Sequence, residues 1–277
     1  MKTGIPFSLK GAEFRYPDEA ENTLFPLDLE IRPGEWVAVL GPNGSGKTTL
    51  LKMLNALLVP TQGLCFVDGV DSSDLNLTGS IREKVSMVFQ NPEDQIVAAI
   101  VEEDVAFGPE NLGLEPEDIR IRVRDALTTA NLWEKRTLPI SSLSGGQKQR
   151  LALAGIFAMK PKALLLDEAL SMLDPYSKKE IIKLIINEHK SGITIVQVTH
   201  DLDEILFADR VIVMENGEIT CDESINEFLR RSKENLHEMK LKKPDISILR
   251  QLLINKKIIP ENTKSDIDSI NKALCLL

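Results

Sequence analysis

Residues 36–49 constrain this chain more than any other stretch. Trp36-Val37-Ala38-Val39-Leu40 is an unbroken apolar run, and Gly41-Pro42-Asn43-Gly44-Ser45-Gly46-Lys47-Thr48-Thr49 follows it directly. A helical pattern then begins at Lys47 and is expected to reach Leu58. Five consecutive apolar residues suit a strand covered on both faces, as in a parallel sheet flanked by helices. The next nine residues fit GxxxxGK(S/T) in the strand–turn–helix setting that this pattern requires. Glycines let successive backbone N–H groups turn inward around a chain of phosphates, and the helix N-terminus adds partial positive charge. Lys47 supplies a point charge for the outer phosphates, and Thr48 a hydroxyl for Mg2+.

The rest of the chain is read around this unit. Short apolar runs recur at 163–167, 193–198 and 210–214, the last followed by Asn216-Gly217, a hairpin signal. Strands alternating with helices predict an α/β domain with a mostly parallel sheet. Before Arg32, the alternation in Phe7-Ser8-Leu9-Lys10 predicts an N-terminal antiparallel β subdomain. Residues 91–143 show few strand signals and a helical pattern from Glu115 to Ala130, which predicts a helical insertion over about 91–160. After about Arg230 the buried-strand runs stop. Residues 236–277 predict two or three short helices broken at Pro244 and Pro260. The expected division is a domain over 1–230 and a small C-terminal helical domain over 231–277.

Composition narrows the partners. The chain has 277 residues, with Lys+Arg 33 against Asp+Glu 42 and a formal net charge of -9. That balance argues against a general affinity for nucleic acid, which needs a basic surface to release counterions. No apolar run approaches the ~18 residues that span a bilayer, and the N-terminus lacks the apolar core of a signal peptide. A membrane role would therefore be peripheral. Cys65, Cys221 and Cys275 lie far apart without a CxxC pair and are expected to be reduced thiols.

Two further motifs carry chemistry. Ala163-Leu164-Leu165-Leu166-Asp167-Glu168 puts carboxylates at the C-terminal end of a buried strand, where ligands of open α/β sheets bind. Asp167 is expected to hold Mg2+ through its water shell, and Glu168 to orient or deprotonate an attacking water. Ser142-Leu143-Ser144-Gly145-Gly146-Gln147-Lys148-Gln149-Arg150 contains LSGGQ ahead of an apolar-periodic helix.

The full set resembles the ATPase subunits of ATP-binding cassette (ABC) systems, members of the P-loop NTPase fold, from about Phe7 to about Arg230. The resemblance implies that Gly41 to Thr49 bind ATP. Tyr16, in Phe14-Arg15-Tyr16-Pro17, would stack on adenine. Gln90, in Phe89-Gln90-Asn91-Pro92, would reach Mg2+ and the attacking water and join the insertion to the core. His200, in Thr199-His200-Asp201, would be the switch histidine at the γ-phosphate. Asp174, in Ser171-Met172-Leu173-Asp174, would belong to the loop that crosses to a partner subunit. Ser144, Gly145, Gly146 and Gln147 would form an anion-binding helix N-terminus facing the other subunit's γ-phosphate. ATP would thus be sandwiched in a dimer that opens on hydrolysis. His189 and His237 lack such a setting and are expected at the surface.

A narrower match lies in Phe89–Val97, Val101–Asn111, Ser171–Pro175 and Thr199–Glu204. These look like the ATPases of energy-coupling factor (ECF) transporters, importers of vitamins and of cobalt or nickel. Phe14 to Asp18 look like the first of their two ATPase types, and Lys242 to Pro260 like their C-terminal pairing domain. The resemblance implies a homologous ATPase partner (a heterodimer expected, a homodimer the alternative), a transmembrane coupling protein and small substrate-binding membrane proteins. It places the chain at the cytoplasmic face of the cell membrane. Glu102, Glu103 and Asp104 either accept arginines from the coupling protein or simply favour a helix dipole. The chain departs from the family at Leu170, where a threonine is usual. The competing reading is a soluble ABC ATPase of a non-transport scaffold such as iron–sulfur cluster assembly. Gln90 to Asn111 and the C-terminal helices count against it.

Overall fold

The computed structural model describes residues 4–171, 173–230, 245–256, 258–260, 263 and 267–274. Expectations for Met172, His237, Cys275 and the segment 231–244 lie outside these residues.

The strand expected at residue 36 is β3 (Trp36–Leu40), and its neighbours explain its unbroken apolar character. Val37 and Val39 join one core, whereas Trp36, Ala38 and Leu40 join a second core on the opposite face. In order along the chain, β1 (Phe7–Phe14), β2 (Leu24–Ile31), β3, α1 (Lys47–Leu54), β4 (Gln62–Val67), β5 (Val70–Asp71), α2 (Thr78–Lys84) and β6 (Val85–Val88) come first. Then follow α3 (Val101–Asn111), α4 (Pro116–Thr129), α5 (Gly145–Met159), β7 (Ala163–Asp167), α6 (Pro175–Lys190) and β8 (Thr194–Val198). The last of this body are β9 (Arg210–Glu215), β10 (Glu218–Ser224) and α7 (Ile225–Phe228). Helices Asp245–Asn255 and Ile267–Leu274 lie beyond.

The main sheet has the order β10-β9-β3-β8-β7-β6. All its pairings are parallel except β9 with β10. Those two strands form the expected hairpin, with both Asn216 (φ 49°) and Gly217 (φ 81°) left-handed, as a type I′ turn requires. The second sheet is antiparallel, in the order β2-β1-β4-β5. Its buried face closes over α1 and one face of the main sheet. Helices α5 and α6 cover the other face. A third core joins Val101 and Val105 of α3, Val123 and Leu127 of α4, and Leu151 and Ala154 of α5. The insertion therefore shares α5 with the main body.

Three features differ from expectation. Helix α1 stops at Leu54, four residues early, because Ala56 turns left-handed (φ 50°). The Leu57 and Leu58 N–H groups then both donate back to the Lys52 carbonyl. That early stop frees the chain to form the β4–β5 hairpin, turned at Asp68 (φ 52°) and Gly69 (φ 77°), which completes the antiparallel sheet. Finally, His189 is not a free surface residue but half-buried, its side chain 21% exposed. Its ring sits edge-on to Trp36 at 5.4 Å, with Nε2 3.8 Å from Asp209 Oδ2. The other tryptophan, Trp133, lies on the insertion with the Arg136 guanidinium 4.4 Å from its ring centre. Cys65 and Cys221 carry thiols, and burial pushes the Cys65 thiol up to about 11, which keeps it inert.

Candidate nucleotide site

The loop after β3 turns where only glycine fits. Gly41 has φ +145°, and a Cβ there would lie 2.1 Å from the Met214 carbonyl oxygen on β9. Gly46, at φ +94°, precedes α1 so closely that a Cβ would sit 2.5 Å from Leu24. The loop thus delivers the N-terminus of α1, with Lys47 first and Thr48 second, to the C-terminal edge of the parallel sheet. Lys47 Nζ donates to the Gly41 and Pro42 carbonyls at 2.9 and 2.8 Å. Burial holds its pKa below the ordinary value, against the opposing pull of Glu168 and Asp167.

Asp167 ends β7, two strands from β3 in the same sheet, so the sheet order alone brings it to the loop. Thr48 Oγ1 donates to Asp167 Oδ1 at 3.0 Å. Burial raises the Asp167 pKa, and the Thr48 bond only partly offsets this. Glu168 follows with φ +46°, a conformation costly for a residue with a Cβ. Its N–H is held by the Val198 carbonyl at 3.0 Å, and its own carbonyl accepts from Ser171 Oγ at 2.8 Å.

Three of the expected catalytic groups meet at this point. Gln90, just beyond β6, donates from Nε2 to Glu168 Oε2 at 3.4 Å. His200, just beyond β8, places Nδ1 3.7 Å from the same oxygen. A cleft of about 300 Å3 opens between Asn43, Gly44, Lys47, Thr48, Gln90 and Glu168. Thr23 lines it too. No local pattern marks Thr23, because it reaches the cleft only through the packing of β2 against the loop. Tyr16 reaches α1 instead: its hydroxyl is 3.3 Å from Thr49 Oγ1, and its ring stands edge-on to Phe14.

The remaining expected residues are not brought to the cleft. Ser144 caps α5, its Oγ accepting from the Gln147 N–H while Gln147 Oε1 accepts from the Ser144 N–H. Neither these two nor Gly145 and Gly146 line the cleft. Asp174 caps α6, accepting from the Tyr176 and Ser177 N–H groups at 3.0 Å each. The two helix starts abut: a Cβ on Gly146 would lie 2.6 Å from Ser177 Oγ. Leu170 is 1% exposed and sits in the core beneath α6, so the departure from the family's threonine is absorbed by packing.

The acidic cluster needs correction at one position. Asp104 is 9% exposed, and its Oδ1 accepts from the Val97 and Ala98 N–H groups at 2.8 and 3.0 Å. It fastens the bend before α3 and does not face outward to a partner arginine. Glu102 and Glu103 do line an open groove between α3 and α4.

The charges fit a polyphosphate with a divalent cation. Lys47 and Asp167 are both held toward their neutral forms, so each lacks a full countercharge despite the other's presence. A polyanion relieves the first and a cation the second. Among the described residues no group of three or more His, Cys, Asp and Glu is placed to hold a metal alone. A cation here would share its ligands with phosphate oxygens, as Mg2+ commonly does.

The family model described as ABC transporter matches residues 24–171. The chain belongs to the ABC transporter ATPase family. The ATPase is 43% identical over 269 residues to the energy-coupling factor transporter ATP-binding protein EcfA1 of Clostridium perfringens, covering 95% of each chain. Among solved structures it matches cbiO1 of Clostridium perfringens, part of the ABC transporter complex cbiONQ. That match has a TM-score of 0.74 and 35% identity, covering 88% of this ATPase and 98% of that chain. It also matches the dimeric post-hydrolysis state of the ATP-binding cassette MJ0796 bound to ADP and Pi. There the TM-score is 0.72 and the identity 31%, covering 79% and 98%.

Proposed function

We propose that this ATPase powers an ECF-type ABC importer. It drives uptake of a vitamin or a transition metal ion through a transmembrane coupling protein and a separate substrate-binding membrane protein. The observation that carries the reading is the convergence of Gln90, Glu168 and His200 beside Lys47 and Thr48. It stands in a chain 43% identical to an EcfA1 over nearly its whole length.

The N–H groups of Gly41 to Thr49 and the Lys47 ammonium bind the phosphates of ATP, and Tyr16 stacks on the adenine. Thr48, Asp167 and Gln90 would hold Mg2+, which neutralises phosphate charge when bound. Glu168 takes the proton of the attacking water. Gln90 steers Glu168 and that water, and His200 donates to the γ-phosphate. The residues that do not line the cleft serve the opposite site of a dimer. Ser144, Gly145, Gly146 and Gln147 offer a helix N-terminus to the partner's γ-phosphate, and Asp174 lies at the same face. The partner is a second homologous ATPase, paired as a heterodimer with residues 231–277 as the pairing domain. Among the described residues no helix is long and apolar enough to cross a membrane. Peripheral attachment at the cytoplasmic face through Glu102 and Glu103 accounts for coupling.

The test is affinity purification of the tagged chain from detergent-solubilised membranes, with mass spectrometry of what accompanies it. A second cassette ATPase, a larger transmembrane protein and small membrane proteins are expected. Recovery with a non-membrane scaffold alone would overturn the transport assignment.

A further inference from the structure

Behind the cleft runs a chain of polar contacts among residues that do not line it. Trp36 Nε1 donates to Gln197 Oε1 at 3.2 Å, and Gln197 Nε2 donates to Glu204 Oε2 at 2.9 Å. Glu204 is 3% exposed, and a carboxylate so deeply buried needs a countercharge. Lys178 of α6 supplies it, with Nζ 2.6 Å from Glu204 Oε1, and the same ammonium also bonds Asp201 Oδ2. Asp201 in turn organises its own loop. Its Oδ1 accepts from the Asp203 N–H, and its N–H donates to Thr199 Oγ1.

Asp201 is the residue after His200. The His200 ring is 65% exposed and meets Glu168 at 3.7 Å, so the backbone that carries the ring must set its position. That backbone is clamped by Lys178. Burial opposes the Lys178 charge, but Asp201 and Glu204 outweigh it and hold its pKa above the ordinary value. Lys178 also lies one helical turn beyond Asp174, with its N–H on the Asp174 carbonyl at 2.9 Å. One side chain therefore joins the His200 loop to the helix whose start lies against the α5 N-terminus.

We propose that Lys178 is a positioning residue for His200, holding the loop that carries the histidine through Asp201 and Glu204. The proposal rests on the reading of His200 as a group that acts on the γ-phosphate.

The test uses the full chain, purified in detergent with the subunits that accompany it. Lys178→Met is expected to lower kcat by about 10²-fold, the scale of a small misplacement of a catalytic group. KM for ATP should stay within about twofold, since Lys178 does not line the cleft. Lys178→Arg, which can hold both carboxylates, is expected to restore most of the turnover. In a His200→Ala background, Lys178→Met should add no further loss. The double variant Lys178→Met with Glu204→Gln removes the uncompensated buried charge. It is expected to melt near the wild-type temperature and remain slow. Normal turnover in Lys178→Met, or a full additional loss on top of His200→Ala, would overturn the proposal. So would recovery of turnover in the double variant. Normal turnover in His200→Ala would overturn the reading of the site, and the clamp with it.

Discussion

Asp167 and Lys47 show how a binding site is stored as unfavourable charge. Burial raises the Asp167 pKa, which weakens the native state wherever the carboxylate is ionised. That penalty is complete above the folded-state pKa and fades as pH falls through it toward the unfolded value near ~3.9. Asp167→Asn, which can still accept from Thr48, is expected to melt no lower than wild type at pH 7 without nucleotide, and the gap should close in acid. Calorimetry across pH checks this, and a clear loss of stability at pH 7 would contradict it. Glu168→Gln keeps the backbone and one acceptor but removes the base. It should bind ATP and turn over about 10²–10⁴-fold more slowly, and normal turnover would remove Glu168 from that role. At this scale the motifs are highly legible, because Lys47 and Thr48 open a helix within an unbroken glycine-rich pattern and Asp167 and Glu168 close an unbroken apolar strand. Asp104 and His189 are not, since nothing near His189 points to Trp36, and Asp104 bonds two backbone amides that have no side-chain signature.

The elements follow the same division. Strands β3, β7 and β8 are buried on both faces, and their apolar runs announce them. Strand β4 is hidden by its own exposure: Gln62, Gly63 and Leu64 are all exposed, so neither face carries the apolar half of an alternation there. The end of α1 is equally silent, because a left-handed alanine leaves no compositional trace. The corrected acidic cluster separates two element-scale effects. Asp104→Ala strands two amides in the bend before α3 and should cost about 1–3 kcal/mol, seen as a lower melting temperature. Glu102→Lys should leave melting unchanged and reduce co-purification of a transmembrane subunit. If both variants melt alike, the distinction between fastening and docking fails.

For the whole molecule, the separation of Ser144 from the cleft is the decisive observation. On the proposed reading, in which Ser144 serves the nucleotide of a partner chain, the two chains should assemble with their ligand. ATP is therefore expected to raise the melting temperature of Glu168→Gln with concentration, as binding to the native state must, and, with the homologous partner ATPase present, to shift its elution to that of a dimer. Ser144→Arg should retain the loop's ATP affinity yet elute as a monomer, beyond the roughly 1 kcal/mol lost with the cap. Dimer formation by Ser144→Arg would place the partner contact elsewhere. Pairing of the kind proposed is legible in a sequence only as an orphan motif, a glycine-rich helix start that lies away from the cleft of its own chain.

The two tryptophans divide the molecule optically. Trp36 is sealed in the core at the head of the polar chain that ends at Lys178, whereas Trp133 lies under a guanidinium on the insertion. Trp36 should fluoresce at short wavelength, and Trp133 at longer wavelength with emission sensitive to the placement of Arg136. Replacing either with phenylalanine leaves a one-colour reporter for the other half. Nucleotide added to such a pair of variants would reveal which half responds first, without any attached dye.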